Sequence, residues 1–248
     1  MELFKNIVGQ SQAKLAIQDW YFYEQQPLLI YGQSGYGKTK FAESLGAKTV
    51  DTTQMRGDRL NSMLRPIKEA DDGDILFFDE IHSLQGKILE GLYKIIDKGT
   101  FYDTDLCMDL ELPKVRFIFA TNIVSPLPEA FINRCKFVEL GKYSEEELTQ
   151  IVHNAHPRLN SKSIISIIKS AKGVPRTALS LADSIESALK TEKIEHPDKD
   201  TVNKLLSSRF NINGDTGLSQ KEFIILQKVA ERGKISSSAI ANIIRLFT

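Results

Sequence analysis

Pro27-Leu-Leu-Ile-Tyr-Gly-Gln-Ser-Gly-Tyr-Gly-Lys-Thr-Lys40 decides how the rest of the chain is read. Pro27 to Tyr31 is a short apolar run that ends at a glycine-rich turn, which predicts a buried strand. Gly32-Gln-Ser-Gly-Tyr-Gly-Lys-Thr39 fits G-x-x-x-x-G-K-[ST], and Lys38 to Leu45 reads as a helix. The motif therefore lies between a strand and a helix, the context that a phosphate-binding loop requires. Glycines let backbone N–H groups converge on phosphate oxygens, and the following helix N-terminus adds partial positive charge. Lys38 is placed to reach the β and γ phosphates, and the Thr39 hydroxyl to bind Mg²⁺. The candidate nucleotide-binding set is Gly32, Gly35, Tyr36, Gly37, Lys38, Thr39 and Lys40.

Outward from the loop, residues 10–25 read as a helix. Strand-like runs recur at Lys48–Asp51, Asp74–Asp79 and Val115–Thr121, with helical stretches between the first three. That alternation predicts an α/β fold, a parallel sheet with helices on its faces. Gly99 to Pro113 alternates locally through Leu106, Met108, Leu110 and Leu112, as a hairpin does.

Asp74-Ile-Leu-Phe-Phe-Asp-Glu80 is an apolar strand that ends in two carboxylates. Downstream of a phosphate loop, Asp79 belongs beside Mg²⁺ and Glu80 is placed to polarise an attacking water. Hydrolysis needs both a metal site and a base, so the pair turns a nucleotide binder into an expected ATPase. Three further residues suit the remaining roles. Asn122 ends the run Phe117-Ile-Phe-Ala-Thr-Asn122, where an amide can orient a water near the γ-phosphate. Arg134 can serve as a finger that reaches a neighbouring subunit's nucleotide, and Arg176, in Gly173-Val-Pro-Arg176, can sense the γ-phosphate from a helix start. Each also has a plainer reading as a surface or capping residue.

From Ser144 the texture changes. Ser144-Glu-Glu-Glu147 is a helix-start signal, and helices follow near 144–155, 161–172, 176–190 and 198–208 without a convincing strand. The expected domains are a P-loop α/β core over 1–142, an all-α domain over 143–209 and a further segment over 210–248. In that last segment the polar stretch Asn211–Gly217 precedes two amphipathic helices, the second carrying Ile240, Ile243, Ile244 and Phe247 at helical spacing. Ile164, Ile165, Ile167 and Ile168 read as core. His153 and His156 have no further Cys or His nearby to complete a metal site and read as solvent-facing.

The chain has 248 residues, 42% hydrophobic and 26% charged, with 32 basic and 32 acidic side chains. This argues against disorder and against a binder working by bulk positive charge. Residues 1–150 hold 17 basic and 23 acidic groups, a net −6, and residues 151–248 hold 15 and 9, a net +6. An anionic polymer bound broadly would favour the second part. Cys107 and Cys135 show no paired spacing, as expected in a reducing compartment. MELFKNIVGQ is not a signal peptide, and no apolar run approaches the ~20 residues of a membrane helix. A soluble, cytoplasmic protein is expected.

Taken together, these stretches resemble the AAA+ ATPases, and within them the RuvB family of Holliday-junction branch-migration motors. Ile7-Val-Gly-Gln10 resembles the segment before that family's first helix. Gly73-Asp-Ile-Leu-Phe-Phe-Asp-Glu-Ile-His-Ser-Leu84 resembles its Walker B stretch, including the distinctive His. Tyr143-Ser-Glu-Glu-Glu-Leu-Thr-Gln-Ile-Val152 resembles the start of its helical lid, Gly173-Val-Pro-Arg-Thr-Ala178 its sensor 2 motif, and Gly217-Leu-Ser the start of its winged helix. The resemblance implies an AAA+ sheet, an all-α lid and a partial winged helix. It implies ATP and Mg²⁺ as cofactors, with Tyr143 against the nucleotide and Ile7 and Val8 lining the adenine pocket. It makes Asn122 sensor 1, Arg134 a finger acting in trans and Arg176 sensor 2, with Asp97 and Lys98 near the nucleotide. It further implies a hexameric ring around DNA, a RuvA-like adaptor, and a monomer that hydrolyses ATP poorly.

The chain departs from the family at several points. Sensor 1 is Asn122 where the family has Thr, Lys40 stands where it has a second Thr, and the Asp97–Pro113 region is shorter. The sequence stops at Thr248, after what would be two winged-helix helices. Asn133-Arg134-Cys135 and the sensor Asn also suit a clamp-loader subunit with a replication adaptor. A third reading is a nucleotide switch that recruits a protein partner.

Overall fold

The structure, a computed structural model, describes residues 3–50, 59–84, 86–103, 108–194 and 197–232. The chain forms two compact units, Met1–Gly141 and Lys142–Thr248.

The first unit is built on a five-stranded parallel sheet with strand order β2-β3-β6-β1-β7. The strands are β1 (Leu28–Tyr31), β2 (Lys48–Val50), β3 (Ile75–Phe78), β6 (Arg116–Thr121) and β7 (Lys136–Glu139). Around them run α1 (Ser11–Tyr23), α2 (Lys38–Ser44), α3 (Arg59–Lys68), α4 (Lys87–Lys98) and the short α5 (Glu129–Ile132). The central strands β3 and β6 are almost wholly apolar because helices cover both faces of the sheet, and every residue of β3 is buried. Phe78, Phe117, Phe119 and Phe131 meet in the core with Leu92 and Ile95 of α4.

Arg116 secures α1 to this sheet. Its guanidinium donates to the Trp20, Tyr21 and Glu24 carbonyls at 2.8, 2.9 and 3.1 Å. It also stacks on the Trp20 ring, 4.0 Å from the centroid. One side chain thus satisfies carbonyls that a helix end leaves open, and burial lowers its pKa.

Two elements of this unit differ in legibility. The β4 (Thr100–Asp103) and β5 (Met108–Glu111) strands pair antiparallel, with Phe101 opposite Leu110, as the alternation predicts; Leu106 lies outside the described residues. Strand β7 has no forerunner in the sequence reading. Its Lys-Phe-Val-Glu is polar at both ends, since an edge strand needs no continuous apolar run, and it pairs with β1 through Leu29 and Phe137.

The second unit packs α6 (Glu145–Ala155), α7 (Ser161–Ala171), α8 (Pro175–Thr191) and α9 (Lys199–Phe210). Ser144 makes a full capping box with Glu147 at the start of α6. Asn160 and Asp198 cap α7 and α9 by accepting from Ser163 N and Thr201 N. The core holds Leu148, Val152, Ile164, Ile167, Ile168, Ala178, Leu181, Ile185 and Leu206. Ile165 is not part of it: it is 44% exposed, because one residue past Ile164 rotates it off the inward face of α7.

His156 corrects a second expectation. It is 7% exposed, and its Nδ1 lies 2.6 Å from Glu186 Oε2 and its Nε2 3.3 Å from Asp183 Oδ1. Its position at the C-cap of α6 turns the ring toward α8. A third correction concerns strands. The two-residue β8 (Ile212–Asn213) and β9 (Leu218–Ser219) pair antiparallel, too short for any periodicity to announce them. Their turn is held by Asn213 Oδ1, which accepts from Asp215 N and Thr216 N. Gly217 closes the turn at φ 70°, where an added Cβ would sit 2.4 Å from the Lys169 carbonyl oxygen. Helix α10 (Gln220–Arg232) follows; Ile240, Ile243, Ile244 and Phe247 lie outside the described residues.

Candidate nucleotide site

Strand β1 ends at Tyr31 and α2 begins at Lys38, so residues 32–37 form a tight loop at the carboxyl edge of the sheet. Ligands of open α/β sheets bind at that edge. Gly35 and Gly37 adopt φ 87° and 97°, a region closed to most side chains. Gly32 is needed for another reason: an added Cβ would crowd Leu140 Cβ at 3.1 Å and its carbonyl at 3.3 Å. Lys38 is 6% exposed and its ammonium donates to the Gly32 carbonyl at 2.8 Å. The lysine thus lies folded back over its own loop. Tyr36 is buried against the same turn, whereas Lys40 points outward and pairs with Glu43 at 3.2 Å.

Strands β3, β6 and β1 stand side by side, with β1 and β6 ending level and β3 two residues earlier. Tyr31 is opposite Thr121 and Phe78 opposite Phe119. Asp79 and Glu80 therefore leave the sheet level with Ala120 and Thr121, and Asn122 follows one residue on. Thr39 Oγ1, in the first turn of α2, is 3.3 Å from Asp79 Oδ2. A hydroxyl and a carboxylate are hard oxygen donors, and Mg²⁺ is held by one or two such groups alongside phosphates. The pair fits that ion. Among the described residues no group of three or more His, Cys, Asp or Glu could hold a metal.

Glu80 takes a left-handed conformation, φ 51°, ψ 46°, and begins the single turn Ile81–Ser83. For a residue with a Cβ this costs about 1–2 kcal/mol and is common where a site stores strain. Its Oε2 is buried without a hydrogen bond, and so is Asn122 Oδ1. An unsatisfied buried acceptor costs roughly 1–3 kcal/mol, so two of them at the edge of one sheet mark a place built to receive a donor. His82 Nδ1 approaches Glu80 Oε2 to 3.2 Å, within ion-pair distance but without hydrogen-bond alignment.

Arg134 lies just after α5. It grips Asp97, at the end of α4, with Nε and Nη2 at 3.0 Å, stacks over Tyr93 at 5.1 Å and donates to the Ala130 carbonyl. The bond to Asp97 raises its pKa, so the guanidinium is a fixed, charged group on the surface of the unit. Next to it, burial pushes the Cys135 thiol up to about 12. Ile7 and Val8 are half-buried in the segment before α1. That segment is anchored by Gln10, whose amide donates to the Gly141 carbonyl at 2.6 Å and accepts from Gly141 N at 3.0 Å.

In the second unit the backbone N–H of Tyr143 donates to the Gly173 carbonyl at 3.2 Å. This bond ties Tyr143 to the segment that carries Arg176. Arg176 occupies the first turn of α8, after Pro175 at the helix start, and is exposed. The residue reading left His82 and Thr121 out of the site. His82 was visible only as a distinctive letter after Glu80, and nothing in sequence pairs it with a residue on β6.

Residues 28–143 match the family model described as ATPase family associated with various cellular activities (AAA). The chain is 29% identical to the Holliday junction branch migration complex subunit RuvB of Prochlorococcus marinus (strain MIT 9515), over 86% of this chain and 71% of that one. It is 27% identical to the RuvB subunit of Mesomycoplasma hyopneumoniae (strain 7448), over 98% and 83%. A variant of Thermotoga maritima RuvB shares its fold, with a TM-score of 0.79 and 22% identity over 98% of this chain and 85% of that one. The family match begins at the first residue of β1 and runs past the last strand of the sheet, so the sheet with its phosphate loop and carboxylate pair carries the match to the AAA ATPases, and the chain is similar to the RuvB proteins over nearly its whole length.

Proposed function

We propose that the chain is a ring-forming DNA motor that hydrolyses ATP at subunit interfaces and drives branch migration of DNA in recombination and repair. The observation that carries the chemistry is the sheet edge. There the phosphate loop, the Thr39–Asp79 pair and two unsatisfied acceptors, Glu80 Oε2 and Asn122 Oδ1, stand together.

In this reading Gly32, Gly35, Gly37 and the start of α2 present backbone N–H groups to the phosphates, with Tyr36 and Lys40 flanking them. Lys38 leaves the Gly32 carbonyl to meet the β and γ oxygens. Thr39 and Asp79 would hold Mg²⁺, which would supply charge neutralisation to the phosphates when bound. Glu80 accepts a hydrogen bond from the attacking water and draws off its proton, and Asn122 holds that water in line. Ile7, Val8 and Tyr143 line the base. Arg176 senses the γ-phosphate, and Arg134 is presented to the site of a neighbouring copy.

The same reading assigns 143–209 as lid and 210–248 as a partial winged helix. The motor acts in the cytoplasm, as a hexamer, with a RuvA-like adaptor. The relatives' names support the DNA role, as does the net +6 of residues 151–248. Among the described residues no helix is long and apolar enough to cross a membrane.

ATP turnover measured against protein concentration, with and without duplex and four-way-junction DNA, tests this. Glu80→Gln is the blank. Turnover is expected to rise cooperatively and to be stimulated most by the junction. Turnover indifferent to concentration and DNA would point to a switch or a clamp-loader subunit instead. Lys38→Ala is expected to lose about 10²–10³-fold in turnover, and wild-type binding and turnover in it would overturn the loop assignment.

A further inference from the structure

Thr121 is fully buried at the end of β6, one residue before Asn122. Its hydroxyl donates to the Ile123 carbonyl at 2.7 Å and accepts from Ile123 N at 3.1 Å. A hydroxyl has a single hydrogen, so the 3.0 Å bond between Thr121 Oγ1 and His82 Nδ1 requires the hydrogen to come from the ring. Nδ1 therefore carries a hydrogen that is committed to Thr121. The backbone under His82 is held as well: Ser83 N donates to the Glu80 carbonyl at 2.9 Å, Leu84 N to the Ile81 carbonyl at 3.0 Å, and Ile81 is fully buried.

The same Nδ1 faces Glu80 Oε2 at 3.2 Å without bonding to it. We propose that His82 is a positioning residue for hydrolysis. Anchored by Thr121 to the end of β6, it attracts the Glu80 carboxylate and fixes its place, yet leaves its lone pairs open because the ring hydrogen is already spoken for. Glu80 and Asn122 are thereby held at one spacing, since Thr121 precedes Asn122 on the same strand end. The inference rests on the reading of Glu80 as the group that activates water.

Two measurements test it. The first needs no nucleotide. In nitrogen-edited NMR spectra of the free full-length chain, at a pH where the ring is neutral, His82 is expected to carry its hydrogen on Nδ1. Thr121→Val is expected to release it to Nε2. A wild-type ring with its hydrogen on Nε2 would overturn the proposal.

The second is kinetic. His82→Ala is expected to lower kcat by about 10- to 100-fold, the usual penalty for misplacing a reacting group. Binding of a fluorescent ATP analogue and KM are expected to change by no more than about twofold, as for an interaction made only in the transition state. His82→Asn, whose amide nitrogen takes the place of Nδ1, is expected to recover most of the loss, and His82→Gln is not. Thr121→Ser is expected to keep the activity that Thr121→Val loses. If His82→Ala turns over like the wild type while Glu80→Gln is inactive, the proposal is wrong and the ATPase reading stands. If Glu80→Gln is itself fully active, the assignment of Glu80 fails first.

Discussion

His82 and His156 are both histidines beside a glutamate, and the two units use them in opposite ways. In the helical unit the ring of His156 bonds Glu186 at 2.6 Å and meets Asp183 on its other nitrogen. The bond to His156 holds the Glu186 carboxyl below its ordinary pKa. Both ring nitrogens have partners and so does the carboxylate, so the cluster works as a clamp between α6 and α8. At the sheet edge the ring of His82 bonds Thr121 and only faces Glu80, whose Oε2 stays unsatisfied. The difference is whether the carboxylate's acceptors are used up inside the fold. Where they are, the pair stabilises; where they are left open, it is available for chemistry.

The sheet-edge side of this comparison is broken hardest from outside the unit. On the proposed reading Arg134 is a finger acting in trans, a role worth about 10³–10⁵ in turnover, so Arg134→Ala is expected to spare ATP binding and nearly abolish hydrolysis. Mixing Arg134→Ala with Lys38→Ala copies should restore part of the activity, because some interfaces then join an intact loop to an intact arginine. Mixtures with no activity at any ratio would show that Arg134 acts only within its own copy, through Asp97 and Tyr93.

Next in size is Glu80→Gln, which removes the open carboxylate. Turnover should fall about 10²–10⁴-fold while nucleotide affinity is kept. The melting temperature should hold or rise, since an unsatisfied buried acceptor with a strained backbone adds nothing to stability. A marked fall in melting temperature would show that Glu80 is a structural residue and that the contrast with Glu186 is false.

His156→Ala should show the opposite signature. It removes the buried partner of Glu186, which then keeps only the exposed Lys190, so the chain is expected to lose roughly 1–3 kcal/mol of stability. Thermal or urea unfolding would read this, and ATP turnover per folded molecule should be unchanged. A loss of turnover without a loss of stability would sink the description of His156 as a clamp.

The smallest effect concerns pH. Because the Glu186 carboxyl titrates below its unfolded value, the stability it adds is fully present above the ordinary carboxylate range, about pH 4.3. It is lost as pH falls through the lowered folded value. Glu186→Gln should therefore flatten the acid side of the stability profile, with the variant and wild type converging as pH drops. An acid limb unchanged by Glu186→Gln would mean that other carboxylates carry it.

Much of the scaffold is legible in the amino-acid sequence. The apolar run of β1, the glycines after it and the helix after them are consecutive residues, so their geometry is set by local backbone rules. The same holds for β3 and its carboxylate pair and for the Ser144–Glu147 cap. Strand β7 was not legible, because its polar ends give no periodic signal, nor were β8 and β9, at two residues each. Ile165 and His156 were misread for a shared reason: composition shows that a residue lies on a helix, whereas the facing of the helices decides whether it is covered.

The site divides along the same line. By itself the sequence determined that there is a phosphate loop, that a strand ends in Asp79-Glu80 and that another ends in Thr121-Asn122, because each lies within a few bonds of the signals that specify it. Tertiary structure alone decided which of these meet. Thr39 and Asp79 are 40 residues apart, His82 and Thr121 39, Arg134 and Asp97 37, and His156 and Glu186 30. Those pairings follow from strand order, register and helix packing, which depend on how the whole core closes and on no single stretch of the chain.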